Sequence, residues 1–322
     1  MIHTPGMKVI GSSIFIFLAG GLFLRADDQT VSLPDILQGA QQWAQDNLDT
    51  NFVNSLPQVE DPQVRKFLRE IERQFQGDYV VDLASLQQTA QSALPLLDSS
   101  EVTRPYAAWL RSQMDYLAVA DEIRLSIAPP LTPPNAPTNQ APLVIRNPTP
   151  LVERELWRKQ VSVEPWPEGA KKYVPELKPC FLAQGVPPEL VWLAEVESSF
   201  DRSAESPVGA AGLFQLMPDT ARRFGLSLWP HDQRFQPQPS ATASAEYLKQ
   251  LHNHFGDWRL AVAAYNAGEG RVQKLLDRYK TRSYDDIAVH LPAETQMYVP
   301  RVEAVIMQRE GVDLEELALP QS

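Results

Sequence analysis

One cysteine among 322 residues leaves no partner for an internal disulfide and no set of thiolates for a structural metal site. That residue, Cys180 in LKPCFLAQG, reads as a small apolar core side chain. Basic residues are the next shortage: 29 Lys and Arg face 40 Asp and Glu, a formal charge of -11. Such a chain has no basic face with which to displace counterions from phosphates, so a DNA or RNA partner is not expected. Histidine is scarce too, with five in all. His252 and His254 are two apart and cannot share a helix face, and no acidic ligand pattern accompanies them, His231 or His290. Neither a metal nor any other cofactor is expected, and the histidines read as solvated. Long apolar runs are missing after the first segment, where Lys8 precedes Val9–Leu24 and Ala26 precedes Asp27 and Asp28. That order of basic, apolar and small residues reads as a secretory signal peptide over residues 1–26. The run is broken by Gly and Ser and is short for a membrane span, which leaves an uncleaved anchor as the alternative. No cysteine follows it closely, so a lipid attached there is not expected, and the body of the chain is expected outside the cytoplasm.

What is present is ordinary for a globular protein: 43% hydrophobic and 21% charged residues, enough for two folded units. Residues 27–128 read as a helical unit. In PQVRKFLREIERQF, Val64, Phe67, Leu68 and Ile71 recur at spacings of three and four, and further helices are expected in LASLQQTAQSALPLL and RPYAAWLRSQMDYLAVADEIRL. Tyr106, Trp109, Met114 and Tyr116 read as core on that periodicity. Between 129 and 150 there are eight prolines, which cannot continue a helix and favour an extended spacer. A second unit follows over 151–312, with a short tail at 313–322, and the whole is expected to be mainly α.

The second unit carries the chemistry. A helix is expected to end near Gly185 and another to open at Pro187 or Pro188, where a missing N–H costs nothing. The latter is apolar nearly all round, from Leu190 to Val196, so it belongs in the middle of a domain. Two acids interrupt it in AEVESSF: Glu195 and Glu197 point about 200° apart by helical geometry and cannot share an environment. Spacing alone leaves either of them open as a functional acid.

Four stretches then occur in order: VESSF, SPVGAAGLFQLMPDTARRFG, AEYLKQLHNHFGDWRLAVAAYNAGEGRV and LPAETQMYVPRV. Together, over Lys171 to Ile306, they resemble the lytic transglycosylases of peptidoglycan, most nearly the membrane-bound murein transglycosylase D type. The resemblance implies a lysozyme-like catalytic domain that cleaves the MurNAc–GlcNAc bond to leave 1,6-anhydromuramic ends. It implies Glu197 as the catalytic acid and Ser198 as the serine after it. Gln215 of the G-L-x-Q element, Met217, Tyr265 and Asn266 of the A-Y-N element, and Glu294 and Tyr298 of the E-T-x-x-Y-V element would border the sugar groove. Tyr265 is expected to hold the Glu197 carboxyl, and Asn266 or Gln215 the substrate's acetamido group; Glu195 takes no role. A related hydrolase of the goose-type lysozyme kind would need a further acid facing Glu197, with Asp201 and Glu205 as candidates. A non-catalytic wall-binding scaffold is the other alternative.

Each element also has a plainer reading. Gly209 and Gly212 can serve a loop, and Gly268 can stop a helix. Tyr265 can be core, and Glu294 can be an acid favoured by a helix N-terminus. Gln236 stands where many members have Asp before a long helix, which points to an altered cap. LysM repeats, common in the D type, are not expected. The N-terminal helices are the place for envelope protein partners.

Overall fold

The computed structural model describes residues 61–99, 101, 103–127 and 147–321. The signal peptide, residues 27–60, residue 128 and the spacer as far as residue 146 lie outside them. Among the described residues the architecture is helical, with no strand and two isolated bridges, Glu205 to Ala211 and Ala211 to Leu216. The helices are α1 (Asp61–Phe75), α2 (Gln87–Asp98), α3 (Arg104–Ile127), α4 (Pro150–Val163), α5 (Ala170–Ala183), α6 (Leu193–Ser198) and α7 (Pro218–Arg223). They continue as α8 (Pro237–Phe255), α9 (Trp258–Ala267), α10 (Glu269–Tyr279), α11 (Tyr284–Ile287) and α12 (Ala293–Glu310). No helix among the described residues is long and apolar enough to cross a membrane.

The periodicity in the first unit is realised. Leu68, Ile71 and Phe75 form the buried stripe of α1, while Tyr106, Trp109 and Tyr116 are buried on α3 and Met114 packs partly against them. The expected separation into two units is not what these helices build. Apolar residues from Leu68 to Leu317 form one continuous core. Phe75 meets Tyr116 edge-on at 6.1 Å, and Tyr116 meets Trp157 of α4 at 5.2 Å. Arg301 of α12 adds a polar rivet: its guanidinium pairs with Asp115 at 2.5 Å, donates to the Ser112 carbonyl at 2.9 Å, and lies over the rings of Tyr116 and Trp157. A buried cation and two aromatic faces make the apolar side of α3 an inner wall, so the proline-rich stretch joins elements of a shared core. The tail expected at 313–322 packs as well. Leu314 and Leu317 are buried, and the Gln321 N–H donates to the Gly185 carbonyl at 2.8 Å.

Gln236 does stand at the N-cap of α8, where its side chain makes no capping bond. His252 departs from the solvated reading: it is buried, with its ring 4.2 Å from that of Trp258, and burial lowers its pKa.

Glu153 of α4 is 1% exposed, its Oε1 has no hydrogen-bond partner among the described residues, and burial pushes its pKa well up. A carboxyl with a raised folded-state pKa binds its proton more tightly when folded. Its contribution to stability is therefore complete below the ordinary carboxylate range and is lost as pH rises through the folded pKa. Glu153→Gln, which is neutral at every pH, is expected to gain stability over the parent progressively as pH rises above the ordinary carboxylate range. Denaturant midpoints measured across that rise check it; a difference independent of pH would contradict it.

Candidate active site

The site begins with how α6 is stopped. The 3₁₀ turn Pro188–Trp192 runs into α6, and every residue from Leu190 to Val196 is buried. Ser199 and Phe200 then adopt left-handed backbone angles (φ 51° and 58°), which cost non-glycine residues free energy. The Ser199 N–H donates to the Glu195 carbonyl at 2.9 Å and the Phe200 N–H to the Ala194 carbonyl at 3.0 Å. The Phe200 ring, buried edge-on against Trp192 at 5.7 Å, anchors the reversal. The helix thus ends one residue after Glu197, leaving that side chain at its mouth.

Geometry now separates the two acids. Glu195 is buried and takes both guanidinium branches of Arg309, at 2.7 and 3.1 Å, with both side chains within 5% exposure. Glu197 is half-buried and accepts a 2.5 Å hydrogen bond from the Tyr298 hydroxyl. Its pKa is raised to about 8. Desolvation is the main cause; the Tyr298 bond pulls it down, the nearby Glu294 pushes it up, and Arg301 pulls it down. Ser112 of α3 reaches the Glu197 carbonyl at 3.4 Å.

α12 supplies the floor. Glu294, Tyr298 and Arg301, at spacings of four and three, share one face of it. The hydroxyl that meets Glu197 is therefore that of Tyr298, not Tyr265 as the sequence reading has it. Tyr265 donates instead to the Phe214 carbonyl at 2.8 Å, and the Ser244 hydroxyl lies 3.2 Å from its oxygen. Glu294 accepts from Gln76 at 2.9 Å and from Asn266 at 3.2 Å, and burial raises its pKa. The Asn266 oxygen accepts from Thr295 at 2.6 Å, so its amide is engaged at both ends.

The loop after the acid is fixed from beneath. Ser198, 1% exposed, donates to the Leu213 carbonyl at 2.9 Å or the Ala194 carbonyl at 3.1 Å; it is a strut of the loop rather than a group open to a ligand. Gly212 has φ 79°, and a Cβ there would stand 2.0 Å from the Arg234 carbonyl oxygen, so only glycine fits. Arg234 in turn donates to the carbonyls of Gly209 and Leu216 at 2.5 and 2.9 Å and pairs with Asp232. Gln215, itself left-handed at φ 45°, donates to the carbonyls of Ala204 and Gly212 at 3.0 and 2.9 Å, while its Oε1 is buried without a partner among the described residues. Met217 is 42% exposed.

Residues 183–288 match the family described as Transglycosylase SLT domain. The membrane-bound lytic murein transglycosylase D of Escherichia coli (strain K12) is 44% identical over 126 residues, which are 38% of this chain and 28% of that protein. The soluble lytic murein transglycosylase of the same strain is 36% identical over 121 residues, 35% of this chain and 19% of that protein. The chain thus spans less than a third of either relative. The crystal structure of the 70 kDa soluble lytic transglycosylase SLT70 from Escherichia coli aligns at a TM-score of 0.40 and 16% identity, covering 98% of this chain and 53% of that one.

Glu197, Ser198, Gln215, Met217, Tyr265 and Asn266 lie within the matched residues 183–288, and Glu294 and Tyr298 follow them on α12. Three contributors come from far outside them and escape the sequence reading: Gln76 on Glu294, Ser112 behind Glu197, and Asp115 holding Arg301. Arg301 itself carried a signal, since it falls on the helical face of Tyr298. Nothing in the spacing announces Gln76, which is 218 residues from its partner.

Proposed function

We propose that the chain is a peptidoglycan lytic transglycosylase that cleaves the MurNAc–GlcNAc β-1,4 bond without consuming water. The observation that carries this reading is the half-buried Glu197 carboxyl, at the mouth of an apolar helix, with its pKa raised to about 8 and one oxygen fixed by Tyr298. At neutral pH that carboxyl is mainly protonated and can protonate the glycosidic oxygen, which a solvent-exposed glutamate ionising near pH ~4.3 cannot do efficiently. Once ionised, it takes the proton from the C6 hydroxyl of the same muramic acid, and that oxygen closes on C1 to give the 1,6-anhydro ring. A nucleophile already tethered to the reacting sugar needs no base on the opposite face. The Tyr298 hydroxyl holds the ionised carboxylate between the two proton transfers, and Met217 lines the groove. With a signal at residues 1–26, we place the enzyme in the periplasm, with glycan strands as its substrate.

A second reading rests on Glu294, whose charge is felt at Glu197 and which could activate water in a hydrolase. Its raised pKa and its bonds from Gln76 and Asn266 weigh against a base role. Asp201 is spent on its own turn, accepting from the Ser203 N–H and hydroxyl at 2.8 and 2.6 Å. Mass analysis of products from purified sacculi decides between them. Anhydro-ended muropeptides are expected; reducing ends that take up oxygen from labelled water would replace the transglycosylase with a muramidase.

The alkaline limb of the rate profile tests the acid. Because only the protonated form donates, kcat/KM is expected to fall as pH rises through about 8. In Tyr298→Phe the hydrogen bond that pulls the pKa down is gone, so the limb moves to higher pH while the maximal rate drops. A limb unmoved in that variant would dissociate Tyr298 from the titrating group.

A further inference from the structure

We infer that α1 closes one end of the groove beside Glu197, so that the enzyme attacks glycan strands from their ends rather than at internal bonds. The inference rests on the transglycosylase reading above. We take as the two banks of the groove the loop from Asp201 to Met217, whose Leu213 carbonyl accepts from Ser198 beside Glu197, and the start of α12, whose Tyr298 meets Glu197 and whose Glu294 accepts from Asn266. α1 is tied to both. Arg69 donates to the Pro207 carbonyl in the loop at 3.2 Å. On the other bank Gln76 donates to Glu294 at 2.9 Å and accepts from Arg271 at 3.2 Å. The turn that follows is sewn to the same helix start, with the Ala293 N–H on the Gly77 carbonyl at 2.7 Å and Gln296 on the Asp78 carbonyl at 3.1 Å. From Arg69 to Gln76, the first residue past the end of α1, is a step of seven residues, about 10 Å along the axis, so the helix is a crosspiece between the banks.

This crosspiece is a fixed wall and not a lid. Leu68, Ile71 and Phe75, on the adjoining face about 100° round the helix, are at most 3% exposed within the shared core, and lifting the helix would return all three to water. The polar hydrogen bonds alone could be exchanged for water with little loss. The core contacts could not.

The wall also has a lining group without a partner. Glu72 lies one turn after Arg69 on α1 and four residues before Gln76 at its end, and is close enough to Glu294 for their charges to interact. Its Oε2 is shielded from solvent yet has no hydrogen-bond partner among the described residues. Shielded carboxyl oxygens are satisfied by a donor in native structures, and a hydroxyl of a terminal sugar is the donor that a closed groove end would present.

Two measurements on purified sacculi and glycan strands test the wall. With the unaltered protein at constant sugar mass, the initial rate should rise in proportion to the number of strand ends, doubling when mean strand length is halved. The mean length of undigested strands should fall only slowly while small anhydro-ended products accumulate. In the triple variant Arg69→Ala, Glu72→Ala, Gln76→Ala, which leaves the buried face intact, fragments of intermediate length should appear early; circular dichroism establishes that it is folded. A rate indifferent to end number, with strands cut internally to anhydro-ended fragments from the start, overturns the wall and leaves the transglycosylase standing. Products without anhydro ends overturn both.

Discussion

Glu197→Gln is expected to lower turnover of peptidoglycan by about 10²–10⁴-fold or more, with the fold unchanged. The amide has nearly the shape of the acid and still accepts from Tyr298, so the left-handed reversal at Ser199 and Phe200 and the apolar packing of α6 stay as they are. What it lacks is a proton to give and a charge with which to retrieve one. In barrier terms the expected loss is about 3–5 kcal/mol, at ~1.4 kcal/mol for each tenfold step. Product release from sacculi, set against thermal denaturation of the same sample, separates chemistry from folding. A variant that kept a tenth of the parental rate would require another acid.

Glu195→Ala, two residues away, is expected to behave in the opposite manner. Among the described residues its carboxylate is the sole charge that meets the Arg309 guanidinium at hydrogen-bond distance, and Arg309 is 2% exposed. Removing one partner leaves a buried cation uncompensated, which costs about 3–5 kcal/mol of stability. Turnover per folded molecule should be retained, because no part of Glu195 reaches the mouth of α6. Urea titration gives the first quantity and activity normalised to folded protein the second. Adding Arg309→Met should recover much of the stability, since an apolar pair can replace a buried ion pair; failure to recover would show that the loss came from packing around α6.

The contrast between these glutamates was half legible in the chain. Helical geometry separates their directions, so different surroundings follow from sequence, whereas the identity of the surroundings does not. The arginine that claims Glu195 is 114 residues away and the tyrosine that claims Glu197 is 101 away. Tyr265 and Tyr298 illustrate the limit. Both belong to expected site elements, but which hydroxyl meets the acid depends on how deeply α9 and α12 sit against α6, a tertiary quantity that periodicity does not encode. The helical class, the burial of Leu190–Val196 and the core role of Tyr106, Trp109 and Tyr116 followed from the 3.6-residue pattern. The contribution of α1 and α3 to the site did not, because eight prolines read as a separator whether the flanking elements part or fold back together.

That return has a consequence for how the molecule comes apart. Arg301 is locked between Asp115, Tyr116 and Trp157, so the helices before the prolines and those after them cannot let go in turn without stranding a positive charge in apolar surroundings. Calorimetry is therefore expected to record a single endotherm for residues 61–321. Residues 183–288 excised alone would be a poor catalyst, because they leave behind α12 with Tyr298 and Arg301 and the Trp157 ring that braces it.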